Sequence, residues 1–279
     1  MRTLLIAFIV SLSASGAFAQ QRPLITEDPE TIGSGRVLLE GGVEYDHDVV
    51  YPVSGLTGNL FRVPLFGISV GVSSIAEVQI DQASFSHLDI TSRRPAPLTG
   101  LMNVTGSSTT DSDDLIIGTK IRIAPEGTRR PAFGFRFATK LPNANNESGL
   151  GLDTTDFFAS VLAGKTTQSV RLVGNIGFAI LGDPTNGNRQ NDVVTYGASF
   201  ARAITNAAEI VGEVNGRANT RSAGPLPGTE SRSIVRMGLR YTVGGWRGDA
   251  AVLFGATNND PGIGFTTGFT YVFTAFQVP

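Results

Sequence analysis

From Arg36 onward, apolar and polar residues alternate with a period of two in stretch after stretch, the spacing of a β-strand whose faces meet unlike surroundings. In the last stretch Phe265, Thr267, Phe269, Tyr271 and Phe273 share one parity, and Gly264, Thr266, Gly268, Thr270 and Thr274 the other, broken only by Val272. Phe133, Phe135 and Phe137 oppose Gly134, Arg136 and Lys140 in the same way, and Val37, Leu39, Val43 and Tyr45 oppose Glu40, Gly42, Glu44 and Asp46. An apolar face backed by glycine, hydroxyl and charge suits a strand with lipid outside and a polar lumen inside. The pattern predicts strands from Arg36, then over Leu60–Val72, Ile75–Phe85, Asp114–Ile123, Ala132–Leu141, Asp156–Gly164 and Ser169–Leu181. It continues over Val193–Arg202, Ala208–Ala218, Ser231–Tyr241, Trp246–Ala256 and Gly264–Phe276. That makes an all-β fold, a transmembrane antiparallel up-and-down β-barrel of about twelve strands, an even number as in bacterial single-chain barrels. Pro64 cannot donate to a ladder, so a bulge or a locally open pair is expected beside it.

The connections between these strands alternate in length. Short ones (Ser73-Ser74, Pro125–Arg130, Lys165–Gln168, Ala203–Ala207, Val243–Gly245) take turns with long ones (Asp48–Asn59, Ser86–Asp113, Pro142–Thr155, Gly182–Asp192, Asn219–Glu230, Thr257–Ile263). Outer-membrane barrels have short periplasmic turns and longer extracellular loops, so this phase places both termini in the periplasm. Met1 to Ala19 has a basic Arg2, an apolar run from Leu4 to Val10 and Ala17-Phe18-Ala19 before Gln20, the layout of a cleavable secretory signal. The expected organisation is a signal peptide over residues 1–19, an irregular periplasmic lead-in over 20–35 and a barrel over 36–279. The lead-in carries two prolines and several acidic groups, and one reading folds it inward as a partial plug.

Composition narrows the field without naming a task. The net charge of -2 gives no sign of a nucleic-acid partner, and the absence of cysteine leaves no disulfide framework on an export route through an oxidising compartment. Mean hydropathy is +0.07, as expected where lipid-facing and lumen-facing residues alternate. The charged residues Glu40, Glu44, Glu77, Asp81, Lys120, Arg122, Arg136, Lys140, Arg171, Glu209, Glu213, Arg217, Arg232, Arg236 and Arg240 all fall on the polar parity. Basic groups on the lipid face cost roughly 2–4 kcal/mol at the midplane, so these side chains are candidates to line the lumen. One antiparallel register opposes Glu209 with Arg240, Glu213 with Arg236 and Arg217 with Arg232.

Catalytic and metal chemistry finds little support. Only His47 and His87 are present, and Ser86 beside His87 would point to the opposite face of a strand, which does not make a serine–histidine dyad. The acidic run Asp111 to Asp114 offers oxygen ligands but no more than a short loop cluster. No catalytic, cofactor-binding or metal-ligating residue is assigned.

RPLITEDPETIG at Arg22–Gly33, EGGVEY at Glu40–Tyr45, AEVQID at Ala76–Asp81, KLPNANNESGLG from Lys140 and LGDP at Leu181–Pro184 resemble the outer-membrane barrel family of the MetA pathway of phenol degradation, also described as transporters. The last strand also resembles the aromatic C-terminal targeting strand of bacterial outer-membrane barrels. The resemblance implies an outer-membrane channel or transporter for small aromatic or other apolar solutes, inserted by the barrel assembly machinery among outer-membrane lipids. The alternatives from other classes are a plugged or purely structural barrel, a phospholipase-like outer-membrane enzyme and a soluble ligand-binding barrel.

Overall fold

A computed structural model of the chain describes residues 22–277; the leader expected over 1–19 lies outside them. The strands are β1 (Arg36–Tyr51), β2 (Leu56–Gly71), β3 (Ala76–Arg93), β4 (Ser108–Ser112), β5 (Ile116–Ala124), β6 (Ala132–Lys140) and β7 (Asp156–Thr167). They continue as β8 (Val170–Gly182), β9 (Gln190–Ala203), β10 (Ala208–Asn219), β11 (Arg232–Val243), β12 (Trp246–Gly255) and β13 (Ile263–Thr274). Each pairs antiparallel with its neighbours, and β1 pairs with β13 from Arg36↔Thr274 to His47↔Ile263, which closes the sheet into a barrel with no free edge along that seam. Strand β4 pairs only with the far half of β3, at Phe85–Asp89, while β5 pairs with the near half at Ala76–Asp81. The two therefore fill one position end to end, and the wall is a closed antiparallel barrel of twelve positions.

Parity decides the two faces. On β13, Phe265 is 50% exposed and Thr266 2%; Phe269 is 46% exposed and Thr270 is fully buried. Val161, Leu172, Ile176, Val194 and Leu239 lie on the exposed face of their own strands, an outward apolar band of the kind lipid requires. Trp246 stacks on Tyr271 with ring centroids 4.3 Å apart, and Tyr271 on Phe273 at 5.5 Å, forming an aromatic cluster at the end of the barrel that carries the termini.

Two expectations are corrected by the strand lengths. Residues 86–113 do not form one long polar loop: β3 runs on to Arg93 and β4 pairs back onto it. Likewise β1 and β2 extend into the segment 48–59, leaving only residues 52–55 as the connection, so the first outer loop is short and the length alternation is not strict. The physical reason is that Val49, Leu56, Leu60 and Leu88 form a buried apolar cluster on the inward face of these extensions, which stabilises the ladder there. Around Pro64 the β2–β3 register shifts between Val63 and Phe66 and again before Ile68, and the β1–β2 register shifts between Glu40 and Glu44, the irregularity that a missing N–H donor imposes.

Candidate functional site

Since the lumen is lined by one parity of every strand, its chemistry is set by the polar residues between the exposed apolar ones. Each of the charged side chains singled out on the polar parity is shielded, and Glu77 and Lys120 are fully buried. They are grouped at two levels. The end of the barrel with the short turns and the termini is called here the turn end, and the opposite end the loop end.

At the turn end residues 22–32 run across the lumen as a strap. Arg22 Nη2 reaches Asp249 at 3.4 Å and Thr266 at 3.3 Å, its N–H donates to Glu40 at 3.4 Å, and its carbonyl accepts from Arg240 at 2.7 Å. The N–H groups of Ile25 and Thr26 and the Thr26 hydroxyl donate to the Glu213 carboxylate at 2.7–3.0 Å, and Glu213 also pairs with Arg236 at 2.9 Å. Leu24 is buried against Ala201 and Val211. Next, Glu27 exchanges backbone hydrogen bonds with the Asn175 side chain at 2.7 and 2.8 Å and sets its carboxylate between Lys120 at 3.3 Å and Arg136 at 3.0 Å. Asp28 takes a two-pronged pair from Arg171 at 2.6 and 2.8 Å, Glu30 pairs with Arg122 at 2.5 Å, and the Ile32 N–H donates to Glu77 at 2.7 Å. Close packing accompanies these bonds: a Cβ on Gly134 would sit 3.1 Å from Pro29, and one on Gly42 2.5 Å from Arg22. The strap thus touches β13, β12, β11 and β10 with its first half and β8, β6, β5 and β3 with its second.

Other inward charges pair within the wall. Arg136 also holds Asp81 at 2.8 Å, and Lys120 also holds Glu77 at 3.0 Å. Toward the loop end Arg62 pairs with Glu44 and, at 2.6 Å, with Asp46, while Lys140 lies 2.9 Å from both Asp114 and Asp156. The β10–β11 ladder sets Glu209 against Arg240, Glu213 against Arg236 and Arg217 against Arg232, the register read from the charge pattern. Just outside the wall, Glu126 in the turn before β6 takes Lys165 at 2.9 Å and Arg171 at 2.6 Å. Partial burial acts to raise its carboxyl, but hydrogen bonds from Lys165 and Thr166 and the charge of Arg171 outweigh it and hold the group down at about 2.

The comparisons bear on the fold. An outer-membrane channel from Pseudomonas putida F1 superposes with a TM-score of 0.63 over 88% of this chain and 98% of its own, at 12% identity. The translocator domain of the autotransporter NalP from Neisseria meningitidis gives 0.51 over 86% and 89%, also at 12% identity. This chain has the fold of an outer-membrane β-barrel. No family model and no curated protein matches it, so the resemblance carried by RPLITEDPETIG and its companion motifs has no counterpart there.

On this barrel the remaining candidates fall apart geometrically. Ser86 is buried and donates to Asp113 at 2.5 Å, whereas His87 lies half-buried on the other face beside Thr110 at 2.7 Å, so the two do not meet. His47 is at the loop end against Asn59 at 2.7 Å. Asp111 accepts the Asn145 N–H, Asp113 the two serines and Asp114 the Ala144 N–H, which spreads the acidic run over separate partners; no metal-holding group of three occurs among the described residues. Alternation could not show the closing of the loop end. There Val53 and Leu98 are buried, joined by a Leu98 N–H bond to the Val53 carbonyl at 2.9 Å, and Met102 and Leu150 pack on the inward leucines of β2 and β3.

Proposed function

We propose that this chain is an outer-membrane channel for small solutes, held shut at its turn end in the state described by its own residues 22–32. The observation that carries the reading is how the strap is held. Among the described residues, no backbone-to-backbone hydrogen bond joins 22–32 to the wall; the strap is tied by side-chain hydrogen bonds and ion pairs. It can therefore leave without breaking a rung of the ladder, and the wall it leaves behind is polar and charged, as in barrels that enclose water. The lipid band and the phase of turns and loops support an outer-membrane position with both termini periplasmic and the loop end outside.

Planar-bilayer recording of the full chain and of a variant lacking residues 22–34 tests this. The variant is expected to show a higher and steadier conductance than the full chain. Equal conductance, or none in either, would favour the second reading, a barrel whose filled lumen serves structure alone.

A further inference from the structure

Most inward arginines of the described barrel face a carboxylate; Arg217 and Arg232 differ. They oppose each other directly across the β10–β11 ladder near its loop end. Arg217 donates to the carbonyls of Glu230 at 2.9 Å and Gly228 at 2.8 Å, and Arg232 to the carbonyl of Val50 at 3.2 Å. The acidic groups that act on Arg217 are Glu230, Asp156 and Asp260, yet the hydrogen bonds of Arg217 go to backbone carbonyls and to none of these carboxylates. One Glu230 oxygen accepts the Gly228 N–H at 3.0 Å while the other is buried with no hydrogen-bond partner among the described residues, Asp156 pairs with Lys140 at 2.9 Å, and Asp260 accepts from Ser233 and Thr257 through one oxygen only.

The register explains why the two arginines meet: it is fixed by Glu213–Arg236 farther down the same pair of strands. The loop 220–231 then holds Arg217 in place. Thr229 is fully buried and receives hydrogen bonds from Asn191 and Asn219, and Gly228, at φ +84°, turns its carbonyl onto the guanidinium. Beside that glycine the apolar surfaces of three other outer loops converge, since a Cβ there would meet Leu152 at 3.0 Å, Val53 at 3.5 Å and Pro184 at 3.8 Å. Two fixed guanidinium groups below an apolar roof fit an anion that carries its own apolar body. We propose that Arg217 and Arg232 bind the carboxylate of a small, partly apolar organic acid at the loop-end mouth.

This deepens the channel reading by giving it a solute class, yet binding to the detergent-solubilised barrel does not require conduction, so the two can fail separately. Isothermal titration of the purified full chain with benzoate, benzyl alcohol and chloride provides the test. Benzoate is expected to bind at least about tenfold more tightly than either of the others, and to lose at least about tenfold in R217Q/R232Q, the scale of hydrogen bonds to a charged group. R217K/R232K should recover part of that loss. Folding of each variant is checked by heat-modifiable gel migration; if the double variant misfolds, R232Q alone should still lose about threefold or more. Unchanged benzoate affinity in the folded glutamine variants, or equal binding of benzyl alcohol or chloride, would overturn the site.

Discussion

Replacing Glu213 by alanine is the sharpest probe of the strap. Its carboxylate accepts the Ile25 and Thr26 N–H groups and the Thr26 hydroxyl, so one substitution removes three ties while every rung of the barrel remains. Hydrogen bonds to a charged group are worth about 1.5–3 kcal/mol each, and three sharing one acceptor add less than fully, so closure should weaken by about 3–6 kcal/mol. At about 1.4 kcal/mol per tenfold, the population of the released strap rises by about two to four orders of magnitude. Arg236 keeps Asn215 at 3.1 Å, which limits damage to the wall. The chain has no cysteine, so Leu24→Cys, buried between β9 and β10, reports release through maleimide labelling without background. Labelling of L24C/E213A should exceed that of L24C by about a hundredfold or more, with L24C/E213Q between them because the amide keeps one acceptor oxygen. Rates within a factor of about two in folded protein would show that the Glu213 ties do not hold the strap.

Three further outcomes are expected. Glu126 sits well below its ordinary 4.5, at about 2, so its clamp on Lys165 and Arg171 is present above pH about 4.5 and lost as pH falls through about 2; the unfolding-midpoint gap between wild type and Glu126→Gln should shrink over that window, and a flat gap would contradict it. Trp246 is the only tryptophan and belongs to the aromatic cluster at the turn end, so lipids brominated near the headgroup should quench its fluorescence more strongly than lipids brominated near the chain ends. Val214→Arg, on the exposed face of β10, should destabilise the folded barrel in lipid by about 2–4 kcal/mol in denaturant titrations, and a neutral result would remove lipid from that face.

The wall was legible because a membrane barrel writes its two faces into alternate positions. Phe265 and Thr266, or Leu239 and Arg240, carry opposite environments as neighbours, and charge opposition alone gave the β10–β11 register. What could not be read were contacts across the lumen. Nothing local in the acidic lead-in says that Glu27 will stand between Lys120 and Arg136, or that Asp28 will meet Arg171, because those partners are brought together only by closure. The loop end was misjudged for a different reason. Leu56, Leu88 and Leu98 lie near Gly, Pro and Ser residues that signal loops, and only the burial of Leu56 with Leu88, and of Leu98 beside Val53, turns these segments into strand extensions and a roof.

The polarity of the strap matches that of the wall, and this separates filling from gating. Arg22 lies on the side of Glu40 and Asp249, while Glu27, Asp28 and Glu30 lie on the side of Lys120, Arg136, Arg171 and Arg122. A wall that needed only to be filled could pair its charges within itself, as Arg62 does with Glu44 and Lys140 with Asp156. Arg122 instead takes its carboxylate from the strap, and Arg171 divides itself between Asp28 and Glu126. Withdrawal of the strap under the proposed mechanism would therefore open the turn end of the lumen and leave one side of it more cationic in the same event. Because such charges lie in a narrow, poorly screened space, their field on a passing ion is stronger than that of the same groups on an open surface. Under the same proposal the departing carboxylates mark an anion held by guanidinium and ammonium groups as the chemistry that this side of the lumen would accept, and the arginine pair at the loop end would offer the same chemistry to a solute.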